Sequence, residues 1–160
     1  MTRTVIYSGT FDPITRGHED VARRASQLFD DVVVAVARAH HKSTRFSLDE
    51  RLSLARQALA HVASVRVVAF DGLLVDLCKK ESACALIRGI RNGTDFDYET
   101  QLAAMNRKLL PTVETVFLLP DASLQCISST LVREIAKLGG DVSSMVHPDV
   151  VCAFARHPNV

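Results

Sequence analysis

The sequence has almost no net charge, few cysteines and no long hydrophobic run. Its 160 residues carry a formal charge of +1 at neutral pH, which argues against a broad basic surface for nucleic acid. No apolar stretch is long enough to span a bilayer, and residues 1–4 show no signal-peptide pattern. We therefore expect one cytoplasmic domain that has neither a nucleic acid nor a membrane as a partner.

The cysteines are too scattered to form a metal site or a disulfide framework. None belongs to a C-x-x-C pair, and their spacing does not suggest a zinc site. We expect reduced and mostly buried thiols. They are Cys78, Cys84, Cys126 and Cys152.

Two common nucleotide-binding motifs are also absent. The sequence contains no G-x-x-x-x-G-K-[ST], which argues against a P-loop enzyme. It contains no G-x-G-x-x-G after its first apolar run, which argues against a usual dinucleotide oxidoreductase. A nucleotide site in this chain therefore needs a different loop.

Five apolar runs alternate with helical patterns along the chain. This alternation predicts an α/β domain in which helices cover both faces of a doubly wound parallel sheet. Ligands of such sheets bind beyond the carboxyl ends of the strands. The predicted strands are residues 4–8, 32–36, 65–70, 85–88 and 113–119. One predicted helix follows His18, and a second runs from the Ser47 capping box to about His61. Three more cover residues 73–82, 95–110 and 128–138, and a last helix begins at His147.

The loop after the first strand is the first candidate site. Residues 7–18 read Y-S-G-T-F-D-P-I-T-R-G-H, and the glycines Gly9 and Gly17 let backbone N–H groups approach a ligand. His18 is predicted in the first helical turn, where unpaired N–H groups and the dipole favour anions. The loop fits a phosphate site, but it also fits an ordinary turn that needs glycine for its geometry. Charged residues further along this helix, Glu19, Asp20, Arg23 and Arg24, are expected on a solvated face.

Cationic and donor-rich residues follow four of the predicted strands. Such a set suits a polyphosphate substrate. The hydroxyl residues 128–130 begin a predicted helix and can donate to phosphate oxygens, although a plain N-cap is an equal alternative. The whole set is Thr10, His18, Lys42, Arg88, Arg91, Ser128, Ser129, Thr130 and Arg133.

Four segments together resemble the phosphopantetheine adenylyltransferases. They are residues 9–18 (G-T-F-D-P-I-T-R-G-H), 88–99 (R-G-I-R-N-G-T-D-F-D-Y-E), 101–109 (Q-L-A-A-M-N-R-K-L) and 127–134 (I-S-S-T-L-V-R-E). The first and last are shared with the wider nucleotidyltransferase superfamily that carries a T/H-x-G-H signature, whereas the segment 88–99 is specific to this family. The resemblance implies a Rossmann-like fold, a homohexamer, and magnesium-dependent transfer of AMP from ATP to 4′-phosphopantetheine.

The resemblance also implies residue roles. His18 would stabilise the transition state, and Mg²⁺ would be held mainly by substrate phosphates and water. The residues that would bind phosphopantetheine are Thr10, Lys42, Leu74 and Arg88. Those that would bind ATP are Thr10, Phe11, His18, Gly89, Ile90, Arg91, Glu99, Leu124, Gln125, Cys126, Ile127, Ser128, Ser129 and Thr130.

The sequence departs from the family pattern at two places. The family often has an Asn-Pro-Ser-Lys-like run where this chain has residues 39–42, A-H-H-K, and more usually has asparagine at Arg16. Adjacent histidines on an extended chain point opposite ways, so we expect a solvated loop there rather than a metal site.

Some assignments stay open on the sequence alone. Asp12 either lies near the reaction or shapes the turn before Pro13. The helical spacing of Tyr98, Leu102 and Met105 indicates core positions or subunit contacts. Two other functions also compete: a related nucleotidyltransferase with nicotinamide mononucleotide or glycerol phosphate as acceptor, and a nucleotide-binding regulatory subunit without turnover.

Overall fold

The parallel sheet confirms the fold class expected from the sequence. The structure is a computed structural model, and it describes residues 2–40 and 43–157. Within those residues the strands are β1 (Thr4–Gly9), β2 (Asp31–Ala37), β3 (Val65–Phe70), β4 (Ala85–Gly89) and β5 (Glu114–Leu118). The helices are α1 (Arg16–Leu28), α2 (Leu48–Leu59), α3 (Leu74–Lys80), α4 (Gly93–Leu109), α5 (Ser129–Lys137) and α6 (Pro148–Arg156), and a 3₁₀ turn spans Ala122–Leu124.

The strand order fixes where a ligand can bind. The order is β3-β2-β1-β4-β5, and every neighbouring pair is parallel. The chain moves outward from β1 to β3 and then crosses back to β4, so its direction of progress reverses between β1 and β4. In open α/β sheets this reversal leaves a crevice at the carboxyl ends of the two strands. The loops that follow β1 and β4 therefore lie side by side.

The sheet separates two hydrophobic clusters, one on each face. In β2 the side chains of Val32, Val34 and Val36 belong to one cluster, and those of Val33 and Ala35 belong to the other. All five are fully buried. A strand covered on both faces reads as an unbroken apolar run, which is why the sequence predicted β2 well. No helix in the described part of the chain has the length and apolar character needed to cross a bilayer.

The capping boxes set two helix starts. Ser47 and Glu50 form the box expected at the start of α2. At the start of α1 the box uses Thr15 and His18, so the histidine takes the place that glutamate or glutamine usually fills. Helix α4 begins at Gly93, two residues before the predicted start, because the side chain of Asn92 accepts a hydrogen bond from the Asp95 N–H.

Two expectations about exposure were wrong. Glu19 and Asp20 are buried, at 7% and 9% exposed, rather than solvated. Asp20 is held by Arg23 and Arg24 and also accepts a hydrogen bond from the Asp121 N–H, a contact that helical spacing cannot show. Of the cysteines, only Cys78 is buried, whereas Cys84, Cys126 and Cys152 are exposed.

A buried arginine that sequence reasoning missed joins three parts of the fold. Arg51 of α2 is 1% exposed. Its Nε donates to the Phe46 carbonyl at 3.1 Å, and its Nη1 donates to the carbonyls of Thr10 at 2.7 Å and Ala37 at 2.8 Å. Burial lowers the pKa of Arg51, and the charge of Asp12 opposes that shift. The side chain therefore ties the end of β1 to the end of β2 and the start of α2.

We expect Arg51→Met to destabilise the fold by about 2–4 kcal/mol, because three carbonyl oxygens lose their donor in a region with little access to water. The free energy of unfolding from urea denaturation measures the effect. Arg56→Met, on the exposed side of the same helix, is the matched control and should stay within about 0.5 kcal/mol of the wild type. A loss below about 1 kcal/mol for Arg51→Met would show that the carbonyls find other donors.

Candidate active site

A cavity of about 350 Å³ lies at the carboxyl ends of β1 and β4. It brings together residues that are far apart in the sequence and that come from the loops after β1 and β4 and from the start of α5. The predicted site residues that line it are Thr10, Phe11, His18, Arg88, Gly89, Arg91, Glu99, Ile127, Ser128, Ser129 and Thr130. Tyr7, Ser8, Asp12, Thr15, Asp95 and Arg133 also line it.

Other predicted site residues do not line this cavity. Ile90 is buried, and its N–H donates to the Leu118 carbonyl of β5. Leu74 packs against the hydrophobic cluster beneath α3. Leu124, Gln125 and Cys126 lie in or just after the 3₁₀ turn. Lys42 lies outside the described residues.

His18 is a neutral hydrogen-bond donor whose tautomer is set by the helix cap. The Thr15 N–H donates to His18 Nδ1 at 3.0 Å. A ring nitrogen that accepts a hydrogen bond carries no proton, so this geometry assigns the ring proton to Nε2. Burial lowers the pKa of His18 to about 4, with further lowering by the charges of Arg91 and Arg88. The ring therefore offers an Nε2–H donor at neutral pH.

Aromatic rings support the histidine from the side. Phe11 stands edge-on to His18, with ring centroids 5.1 Å apart, and edge-on to Tyr7 at 5.3 Å. A Cβ on Gly9 would lie 3.1 Å from the Phe11 ring, so Gly9 makes room for this ring. Burial raises the pKa of the Tyr7 hydroxyl, which keeps it neutral beside Arg88.

Hydrogen bonds tie the loop after β1 to its neighbours. The Asp12 carboxylate accepts from the N–H groups of Arg45 at 2.7 Å and Phe46 at 2.9 Å. Ser129 Oγ donates to the Pro13 carbonyl at 2.8 Å, and Arg133 Nη1 donates to the Asp12 carbonyl. Asp12 thus shapes the loop. The starts of α1 and α5 line the same cavity, as the sequence predicted.

At the start of α5 the backbone N–H groups are the available donors, because the side-chain hydroxyls are engaged in hydrogen bonds within the protein. Ser128 Oγ accepts from the Leu131 N–H at 3.1 Å and caps the helix, while Ser129 Oγ is engaged by Pro13. Thr130 Oγ1 lies 3.5 Å from Arg133 Nη2. Among the described residues, the N–H groups of Ser129 and Thr130 have no hydrogen-bond acceptor. Such N–H groups at a helix start bind anions well.

The arginines of the cavity each have a carboxylate partner. Arg88 meets Glu99 through two bonds of 2.6 Å and also donates to Ser8. Burial lowers the pKa of Arg88, but the hydrogen bonds and charge of Glu99 outweigh burial, and the net shift is upward. Arg91 pairs with Asp95 at 2.9 Å, and its Nη1 donates to the Ile127 carbonyl at 3.2 Å. The spacing of Arg91 and Asp95 is helical and visible in the sequence, whereas Arg88 and Glu99 are eleven residues apart.

The carboxylates that line the cavity are already engaged and leave little for a metal ion. Asp12 holds backbone N–H groups, and Asp95 and Glu99 hold arginines. In the described part of the chain, no three His, Cys, Asp or Glu residues form a cluster that could bind a metal. The magnesium ion that the resemblance implies would therefore need phosphate oxygens and water for most of its ligands.

Comparison with known proteins extends this picture. The cytidylyltransferase-like family model matches residues 6–135. Proteins named phosphopantetheine adenylyltransferase from Acidovorax sp. (strain JS42) and Cupriavidus taiwanensis are 61% identical over 145 residues and 56% identical over 147 residues. These matches cover 91% and 92% of this chain and 88% and 91% of the relatives. A relative of the same name from Thiobacillus denitrificans is 54% identical and covers 91% of each chain.

Solved structures with low sequence identity share the fold alone. A Vibrio parahaemolyticus protein, named as a candidate nicotinate-nucleotide adenylyltransferase, has a TM-score of 0.73 at 16% identity and covers 98% of this chain and 93% of its own. A lipopolysaccharide core biosynthesis protein from Thermoplasma volcanium has a TM-score of 0.56 at 23% identity and covers 75% and 98%. Together with the family match and the relatives above, the sheet and the cavity at its crevice lead to one assignment. The chain belongs to the cytidylyltransferase-like family and, within it, to the phosphopantetheine adenylyltransferases, nucleotidyltransferases of coenzyme A biosynthesis.

Proposed function

We propose that this enzyme transfers the adenylyl group of ATP to 4′-phosphopantetheine and releases dephospho-coenzyme A and pyrophosphate. The observation that carries the proposal is the shared cavity of His18 and the α5 start, where a neutral ring donor meets backbone N–H groups that have no partner among the described residues. The names of the relatives support the choice of acceptor. So does the segment 88–99, which resembles the corresponding segment of this family.

The proposed reaction is a direct in-line attack. An oxygen of the acceptor phosphate forms a bond to the α-phosphorus, the bond from that phosphorus to the bridging oxygen breaks, and pyrophosphate leaves with the electron pair. The acceptor phosphate is already anionic at neutral pH, so no side chain has to remove a proton, and no covalent enzyme intermediate is needed. The protein has to align the reactants and stabilise charge on the moving phosphoryl group.

The residues divide this work between the two reactants. The Nε2–H of His18 would donate to the α-phosphoryl oxygens, and it stays a donor because the pKa of about 4 keeps the ring neutral. The N–H groups of Ser129 and Thr130 would hold the phosphates of ATP. Thr10, Lys42 and Arg88 would receive the acceptor phosphate. Mg²⁺, when bound, supplies positive charge that stabilises the pyrophosphate leaving group.

We also propose a cytoplasmic location. The cysteines Cys78, Cys84, Cys126 and Cys152 are unpaired, as expected in a reducing compartment. ATP as a substrate is consistent with the same compartment.

We propose that the chain assembles through α4, in the homohexamer that the resemblance implies. Tyr98, Leu102, Met105 and Leu109 follow a spacing of four, three and four residues and so form one apolar stripe. Tyr98 is 61% exposed, Met105 is 56% exposed and Leu109 is 54% exposed. Among the described residues of α4, only Glu99 is buried. An apolar stripe of this length that the described part of the chain leaves largely exposed suits a contact with a second copy.

The function is tested by incubating the protein with ATP, magnesium and 4′-phosphopantetheine. We expect the mass of dephospho-coenzyme A and an equal amount of pyrophosphate. Nicotinamide mononucleotide and glycerol phosphate are the comparison acceptors, and they should yield no adenylylated product. Adenylylation of either one in preference to phosphopantetheine would contradict the proposal, and ATP binding without pyrophosphate release would favour a regulatory subunit.

We expect His18→Ala to lower turnover by roughly 10²–10³-fold, because it removes the side-chain donor from the transition state, and His18→Gln to lower it less, because the glutamine amide still carries N–H donors. The two variants differ in stability. Glutamine can complete the capping box with Thr15, whereas alanine cannot, so only His18→Ala should lose about 1 kcal/mol of unfolding free energy. Steady-state pyrophosphate release and thermal unfolding separate the two effects. Turnover near that of the wild type in both variants would remove His18 from its proposed role.

Met105→Asp should dissociate the assembly, because it places a charge in the centre of the α4 stripe. Size-exclusion chromatography with light scattering measures the mass. Leu138→Asp is the matched control, since Leu138 is 88% exposed and follows α5 rather than lying on α4. A monomeric wild type, or an unchanged mass for Met105→Asp, would contradict the α4 interface.

A further inference from the structure

The side chain of Tyr7 lines the cavity and ends in a buried hydroxyl group. We propose that Tyr7 is a nucleotide-binding residue whose hydroxyl donates a hydrogen bond to an oxygen of ATP, on the ribose or on the α-phosphate. This inference rests on the proposed function, because that function places ATP in this cavity. The family resemblance implies no role for this side chain.

Packing fixes the position of the tyrosine. Tyr7 lies on the central strand β1, where its backbone is in register with Val34 of β2 and Ile87 of β4. The residue is 5% exposed, and its ring stands edge-on to Phe11 with the centroids 5.3 Å apart. The aromatic contact and the two neighbouring strands therefore hold the hydroxyl in one place.

The Tyr7 hydroxyl has no hydrogen-bond partner among the described residues. Arg88, the charged residue with the largest effect on its pKa, donates instead to Glu99 and Ser8. Buried tyrosine hydroxyls usually find a partner, because an unsatisfied buried donor costs free energy.

The oxygen of this hydroxyl is open to the cavity. In the described part of the chain, the side-chain atoms that are both sealed from solvent and without a partner are Glu19 Oε1 and Arg45 Nε. Tyr7 Oη is not one of them, although it also has no partner. A ligand oxygen in the cavity can therefore reach the hydroxyl and accept its hydrogen bond.

The neighbours of the hydroxyl favour the nucleotide over the acceptor. A Cβ on Gly89 would lie 3.6 Å from Tyr7 Oη, so the hydroxyl lies against the backbone at the end of β4. The rings of Tyr7 and His18 have centroids 6.4 Å apart. Gly89, His18 and Phe11 are all residues that the resemblance implies for ATP. The ribose and α-phosphate oxygens of that nucleotide can accept from a hydroxyl group.

The hydroxyl is a neutral donor. Burial raises the pKa of Tyr7, and the opposing effects of Arg88 and Arg91 do not outweigh burial. The group therefore keeps its proton at neutral pH and can donate. Since a neutral hydrogen bond contributes a modest free energy, its loss should weaken binding by about 3- to 10-fold.

The test is Tyr7→Phe, which removes one oxygen atom and keeps the ring that packs on Phe11. Isothermal titration with ATP and magnesium, without an acceptor, should show the 3- to 10-fold weaker binding. The dissociation constant for 4′-phosphopantetheine should stay within about twofold. The melting temperature of the ligand-free protein should stay the same or rise, because the hydroxyl that is removed has no partner among the described residues.

Three results would overturn the inference. One is unchanged ATP binding by Tyr7→Phe. Another is weaker binding of 4′-phosphopantetheine with unchanged ATP binding, which would place the hydroxyl on the acceptor. The third is weaker binding of both substrates together with a lower melting temperature, which would show a structural role.

Tyr98→Phe is the matched control. Tyr98 is the other tyrosine of the chain, is 61% exposed and lies on α4. Its substitution removes the same atom and leaves an apolar ring in place. ATP should bind to this variant as it does to the wild type. An equal loss of ATP affinity in both variants would also contradict a specific contact at Tyr7.

Deoxynucleotides distinguish the two possible acceptor oxygens. If the hydroxyl donates to the ribose, the wild type and Tyr7→Phe should bind 2′-deoxy-ATP or 3′-deoxy-ATP equally well. If it donates to the α-phosphate, the variant should bind both analogues more weakly than the wild type does. A wild type that binds ATP but makes no dephospho-coenzyme A would end the proposed function, whereas the ATP titration would still decide the role of Tyr7. A wild type that binds no ATP would overturn both.

Discussion

The hydrogen bond from the Thr15 N–H to His18 Nδ1 is the contact on which the site depends. It closes the first turn of α1, and it also leaves the ring proton on Nε2. One hydrogen bond thus both caps the helix and leaves the Nε2–H of His18 as a donor. The aromatic contact with Phe11 and the low pKa keep that donor neutral and in place. Loss of the cap would free the ring to change both its orientation and its tautomer.

The described residues that line the cavity carry no excess of positive charge. Its described charged residues form three pairs, Arg88 with Glu99, Arg91 with Asp95 and, at 3.8 Å, Arg133 with Asp12. The neutral donors beside these pairs are the imidazole of His18 and the backbone N–H groups at the start of α5. Dipoles that are already oriented stabilise charge that develops during a reaction and need no reorganisation.

The sequence predicts the parts of this structure that depend on local spacing. Strand β2 can be predicted from its unbroken apolar run, because both of its faces are covered. The start of α2 can be predicted because a capping box places Glu50 three residues after Ser47. Contacts between residues far apart in the chain leave no such pattern. Arg51 looks like any helical arginine until the carbonyls of Thr10 and Ala37 are placed around it. Asp20 was expected in solvent because its partner Asp121 lies 101 residues away.

The same difference explains which site residues could be assigned. Residues at strand ends or helix starts were predicted to meet because the topology brings those ends together, and His18 and Ser129 share the cavity. What each side chain does there depends on its partners. The hydroxyl of Ser129, a donor to phosphate by sequence reasoning, is bonded to the Pro13 carbonyl, so the donor that remains at this residue is its backbone N–H. A motif therefore locates a candidate anion site, but the hydrogen bonds around it determine which atoms are left as donors.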